Sequence, residues 1–156
     1  MTHGSNLGRL GGVYALLHAG HAVGDHWVQT NDQAKDKSEE GPRGQQACAA
    51  HVATLTATQA LFLTLGSLAA GERLNPRYVA LGLAVNAASH YAADRREHGA
   101  LPKLAKALRR FGKEDFLAFG DEKAAPCGTG AYALDQAWHH GWLAISAAII
   151  TGGRRG

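Results

Sequence analysis

Among the histidines and aspartates that stand four positions apart in these 156 residues are His21 with Asp25, His90 with Asp94 and, in reversed order, Asp135 with His139. On a helix that spacing stacks both side chains on one face, about one turn apart. Each pair also continues an apolar stripe. Leu10, Tyr14, Leu17, His21, Asp25 and Val28 follow one another at steps of three and four, as do Val79, Leu83, Asn86, His90 and Asp94. Tyr132, Asp135, His139, Trp142, Ile145 and Ile149 do the same. A buried imidazole or carboxylate without a partner is costly, so helices carrying such stripes must satisfy them against one another. The spacing predicts an all-α fold: a helical bundle built around a buried His/Asp cluster.

Composition supports this reading. Hydrophobic residues make up 46% and charged residues 19%, enough for a core. Ala and Gly are plentiful and aromatic residues few, which favours closely packed helices over sheet. At this length residues 1–156 are expected to form a single domain.

The bundle is expected to have four main helices, over residues 7–29, 45–70, 76–96 and 131–150, plus a short basic amphipathic helix over 103–111. Helix two would face inward with His51, Leu55, Gln59 or Thr58, Phe62 and Leu65. Gly11, Gly12, Gly20 and Gly24 would weaken helix one, or else admit a neighbour closely. Residues 30–44 end in Gly-Pro-Arg-Gly and read as a polar loop with a frayed turn near 32–37, either an ordinary connector or a lid. In the short helix Leu104, Leu108 and Phe111 share one side and Lys103, Lys106, Arg109 and Arg110 the other, with Phe116, Leu117 and Phe119 packing onto the bundle.

Seven stripe residues from four helices are candidate metal ligands: His21, Asp25, His51, His90, Asp94, Asp135 and His139. Helical bundles assemble metal sites from facing side chains in this way. Imidazole nitrogen and carboxylate oxygen suit a divalent Zn, Mn or Fe ion, and seven donors are enough for a pair of ions. Asp25, Asp94 and Asp135 are the candidate catalytic carboxylates, sharing ligand and general-base roles. Gln29, Gln136, Arg95 and Arg96 are candidate substrate-binding residues. A single such pair is more often a structural hydrogen bond or a surface ion pair. Three pairs plus His51 on apolar stripes favour a metal site over a metal-free polar network.

Other chemistries lack support. Cys48 and Cys127 have no CxxC partner, which excludes a cysteine-rich zinc site and leaves two free thiols as the expectation. No GxSxG, P-loop or GxGxxG occurs. The formal charge of +3 is too mild for a dedicated nucleic-acid arm; the basic face 103–113 with Arg95 and Arg96 could instead steer an anion or meet a membrane surface. The first residues, Met1 to Arg9, lack the charged-then-apolar layout of a secretory signal, so none is expected. Segments 47–70, 78–93 and 131–151 approach membrane length, but they carry His, Asp, Gln and Thr, and the mean hydropathy is −0.19. The expected location is cytoplasmic, with membrane association as the alternative.

The order of blocks is more specific than any one of them. His21-x3-Asp25-x3-Gln29, a lysine-bearing loop with Lys35 and Lys37, His51, His90-x3-Asp94 and Asp135-Gln136-x2-His139 resembles a bacterial family of small helical, mostly predicted membrane proteins, catalogued as a domain of unknown function. The resemblance spans the four main helices. It implies a helical, membrane-embedded protein and brings no activity with it. The HD-domain phosphohydrolases offer an analogy of chemistry, being all-helical with His and Asp ligands from several helices. They need an adjacent His-Asp dyad, however, and the adjacent pair here, Asp25-His26, runs the other way.

Two expectations result. One is a metal-dependent hydrolase of a phosphoester-type or other small anionic substrate. The other is a non-catalytic bundle with a buried polar or structural metal site, acting through a protein or membrane partner, alone or as an oligomer. An open coordination position separates them, because catalytic sites keep one and structural sites close it.

Overall fold

A computed structural model describes residues 6–95, 99–121 and 126–153, and among these the chain is helical with no strand. Helix α1 (Asn6–Val23) runs directly into a π-helical turn at Gly24–Val28. Then come α2 (Asn31–Asp36), α3 (Gly41–Ala69), α4 (Pro76–Asp94), α5 (Ala100–Ala107), α6 (Lys113–Leu117) and α7 (Gly130–Gly152). The long helices α1, α3, α4 and α7 form a four-helix bundle, each packed on the next and α7 closing back on α1.

Helix ends are set by local chemistry. Asn75 caps α4 by accepting from the Arg77 N–H, with Pro76 in the first turn, where its missing N–H costs nothing. Thr129 caps α7 by accepting from the Tyr132 N–H. His21 and His90 lie near the ends of their helices, whereas His51 and His139 lie near the starts of theirs, and the four rings cluster together. Successive long helices therefore alternate in direction. One end of the bundle is polar. The remainder is an apolar core of Val13, Leu17, Leu63, Leu83, Leu143, Ala147 and Ile150.

The buried rows advance in steps of four. Val13, Leu17 and His21 are buried on α1; His51, Leu55, Gln59 and Leu63 on α3; Gly82, Asn86, His90 and Asp94 on α4; His139, Leu143 and Ala147 on α7. Such rows are the ridges that pack into a neighbour's grooves, and they wind about the helix instead of running straight along it. The straight stripes expected from sequence therefore drift out of the core at their far ends. Val28, Leu65 and Ile145, expected inside, are exposed. Val28 is also displaced by the π turn, whose extra residue alters the phase of the helix.

Two close approaches fix how α1 sits on α3. A Cβ at Gly20 would stand 2.8 Å from the Gln59 Cα, and one at Gly24 would stand 3.2 Å from the Leu55 Cα. These glycines bring the helices together, the second of the two readings the sequence allowed.

Residues 30–44 are not a loop. Thr30 and Gln33 form a capping box that starts α2, and α3 begins at Gly41 with Pro42 in its first turn. The basic segment also differs from expectation. Its helix is Ala100–Ala107, followed by a 3-10 turn at Arg109–Phe111; Ala105 is its buried residue, while Leu104, Leu108 and Phe111 are exposed. Phe116 and Phe119 are exposed as well. Among the described residues one helix, Gly41–Ala69, is long and apolar enough to cross a membrane. Its outer face shows Leu61, Leu65 and Leu68, and its inner face buries His51 and Gln59.

Leu143 and Leu65 test this packing. Leu143→Ala is expected to destabilise the fold by about 2–5 kcal/mol through the cavity it leaves, whereas Leu65→Ala should change stability by no more than about 0.5 kcal/mol. The shift in urea midpoint measures both.

Candidate metal centre

At the polar end four atoms meet. His51 Nε2 and His90 Nε2 lie 3.0 Å apart. Asp25 Oδ1 is 3.1 Å from the first and 3.4 Å from the second. Asp94 Oδ2 is 3.2 Å from each. The two carboxylate oxygens thus flank the hydrogen-bonded pair of imidazole nitrogens, at separations near the donor–donor distances of about 3.3–3.4 Å that metal–ligand bonds of 2.0–2.1 Å imply. Asp25 Oδ1 is buried and makes no hydrogen bond despite its two neighbours.

Each atom is delivered by a helix. His51 comes from α3, His90 and Asp94 from the last turns of α4, and Asp25 from the π turn that extends α1. Single π turns of this kind frequently occur at functional sites. Asp25 also reaches back with Oδ2 to His21 Nε2 at 3.3 Å, so His21 is placed to orient the carboxylate.

The remaining pair adjoins this group. His139 Nε2 lies 3.4 Å from Asp135 Oδ1, and both offer donor atoms within 4.8 Å of an Asp94 oxygen. Three sets can hold a metal ion: His21, Asp25 and His90; His51, His90 and Asp94; Asp94, Asp135 and His139. All seven residues expected to converge therefore do so. The imidazoles are 0–2% exposed, while Asp25 is 12% and Asp135 30% exposed.

The surroundings set the proton affinities. Burial alone would raise the Asp25 and Asp94 carboxyls, but the adjoining imidazoles of His51 and His90 outweigh it and hold both below the usual range. Burial alone would lower His90, and the same two carboxylates instead raise it to about 9. His21, further from Asp94, is lowered by burial to about 3, against the pull of Asp25. Burial also pushes the Cys48 thiol up to about 11; it and Cys127 are both free.

One residue was not singled out as part of the site. Lys37 Nζ donates to Asp94 Oδ2 at 2.9 Å and is itself largely buried. The Thr30-x-x-Gln33 capping box was the available signal, because α2 is the element that carries Lys37 to the cluster.

The substrate-binding candidates divide. Gln136 Nε2 lies 3.4 Å from Asp135 Oδ2, at the rim of the cluster. Gln29 Nε2 is buried without a hydrogen-bond partner. Arg95 is turned to the backbone: its two terminal nitrogens donate to the carbonyls of Lys37 at 2.8 Å and Glu39 at 2.7 Å. It is buried and ties the α2–α3 connection to the end of α4. Arg96 lies outside the described residues. Comparison with protein-family models, curated proteins and solved structures gives no match.

Because His90 is raised, its stabilising effect in the metal-free protein is fully present below pH 6.5 and is lost as pH rises through about 9. Because His21 is lowered, its effect is present above pH 6.5 and is lost as pH falls toward about 3. Thermal melts in chelator should therefore peak near pH 6.5. A cation must displace the His90 proton, so Zn²⁺ affinity by competition titration should climb about tenfold per pH unit from neutrality to about 9.

Proposed function

We propose that this cluster is a divalent-metal centre, and that the protein is a metal-dependent hydrolase of a small anionic substrate of the phosphoester kind. The observation that carries the metal reading is the buried set of His51 Nε2, His90 Nε2 and Asp94 Oδ2, 3.0–3.2 Å from one another, with Asp25 Oδ1 3.1 and 3.4 Å from the two nitrogens. Two nitrogens and two carboxylate oxygens fit Zn²⁺, with Mn²⁺ or Fe²⁺ next. Bound there, the ion would supply Lewis acidity, polarising a substrate oxygen and making water a stronger acid.

The chain's own residues supply the rest. Asp25 and Asp94 are committed to the imidazoles. Asp135 and Gln136 stand at the more exposed rim, where water and substrate can reach the cluster. Lys37 places a positive charge beside Asp94 and is suited to hold an anion at that edge. His21 steadies Asp25.

A second reading has its own support. Four protein donors stand around the His51–His90 contact, the number that closes a structural metal site. On this reading the ion holds the ends of α1, α3 and α4 together, and the protein acts through a partner.

The deciding experiment uses untagged protein. Metal content by mass spectrometry, thermal stability, and hydrolysis of p-nitrophenyl phosphate are measured for wild type and Asp94→Ala. The hydrolase reading expects bound metal, activity abolished by chelator, and loss of both metal and activity in Asp94→Ala. Bound metal that raises the melting temperature without activity on phosphoesters would favour the structural reading. Protein that takes up no Zn²⁺, Mn²⁺ or Fe²⁺ would sink both.

A further inference from the structure

We infer that the cluster is built for two cations, a closed one held by Asp25, His51, His90 and Asp94, and a solvent-facing one held by Asp94, Asp135 and His139. This rests on the metal reading above and extends it.

The argument begins with what the first centre leaves unused. His139 is 2% exposed, and its Nε2 is buried with no hydrogen-bond partner, although Asp135 Oδ1 lies 3.4 Å away. An imidazole nitrogen stripped of water and given nothing in return is destabilising. It points into a set of three donors from α4 and α7 whose atoms all lie within 4.8 Å of one another. An ion at that point would satisfy it.

Ring orientation separates two ions from one. The acceptor lone pair of an imidazole lies in the plane of its ring. His51 and His90 are tilted 53° to each other, so their nitrogens can converge on one point. His90 and His139 are stacked, 4.1 Å between centroids and only 23° between planes. Lone pairs lying in nearly parallel planes do not meet at one nearby point, so the two rings serve different positions. Asp94, with two carboxylate oxygens, is the residue common to both sets.

The two positions differ in kind. The first has four protein donors and is closed. The second has three, with Asp135 30% exposed. Three donors and an open place is the pattern of a catalytic ion. Formal charge agrees with an anionic ligand there. Three carboxylates balance Lys37 and one dication, and a second dication leaves two positive charges, which a phosphate dianion would neutralise. The second ion thus supplies the open position that a set of four protein donors lacks.

The test is stoichiometry. Full-length untagged protein is loaded with Zn²⁺, dialysed, and assayed for metal per chain. Wild type should hold two ions, and His139→Ala should hold one. Asp135→Asn, at the partly exposed rim, is a second variant that leaves the core intact and should also hold one. Circular dichroism confirms that each variant is folded. Loading with Mn²⁺ adds a spectroscopic readout: a spin-coupled pair in wild type and an isolated ion in Asp135→Asn. One ion in wild type that both variants retain would overturn the two-cation inference and leave the single centre standing. Two ions in both variants would overturn the assigned ligands. No bound ion in wild type would instead remove the metal reading itself.

Discussion

Two imidazole nitrogens 3.0 Å apart on facing helices cannot both carry protons. That contact, His51 Nε2 against His90 Nε2, governs the polar end of this bundle. One nitrogen carries the proton and donates it to the other, a hydrogen bond that holds a single proton in a dry core. The fold answers it with carboxylates: Asp25 on one side and Asp94 on the other, each near both nitrogens. The carboxylates in turn require compensation. Lys37 provides it for Asp94, and the imidazoles of His51 and His90 provide it for Asp25. The π turn of α1, the α2 segment and the Arg95 clamp all serve to bring these answers within reach.

The cluster is layered along the bundle axis. On α1 and α4, which run toward the polar end, histidine precedes aspartate by one turn. On α7, which runs away from it, aspartate comes first. In each case the histidine is the deeper residue and the aspartate the outer one. The reversed pair is thus the same arrangement read on a helix of opposite direction. Helix α3 breaks the pattern, offering His51 but Ala47 where an outer carboxylate would stand. Lys37, carried over from α2, supplies the side chain at that level. The mouth of the cluster is therefore ringed by three carboxylates and one ammonium.

Much of this was legible before any coordinates. The His/Asp spacing and the apolar steps around it were enough for four helices and for convergence of seven residues, because a helix repeats on a short period and a buried charge needs a partner. What was not legible depended on longer-range geometry. The far ends of the stripes went astray because packing follows rows of four, which no single residue announces. What Arg95 faces was hidden because charge is visible in a sequence but direction is not; its guanidinium turns to the carbonyls of Lys37 and Glu39. Residues 30–44 looked like loop because polar composition outweighed one capping box.

The glycines of α1 carry a last consequence. Gly20 and Gly24 let the backbone of α1 lie almost flush on α3, and they alternate with His21 and Asp25 along the same two turns. The gap between the helices sets how far Asp25 stands from His51. Glycine here acts as a calliper. A side chain added at either position would part the two helices, and with them the carboxylate and the imidazole, without touching either. The spacing of the polar groups is thus written in the residues that hold the walls apart as much as in the groups themselves.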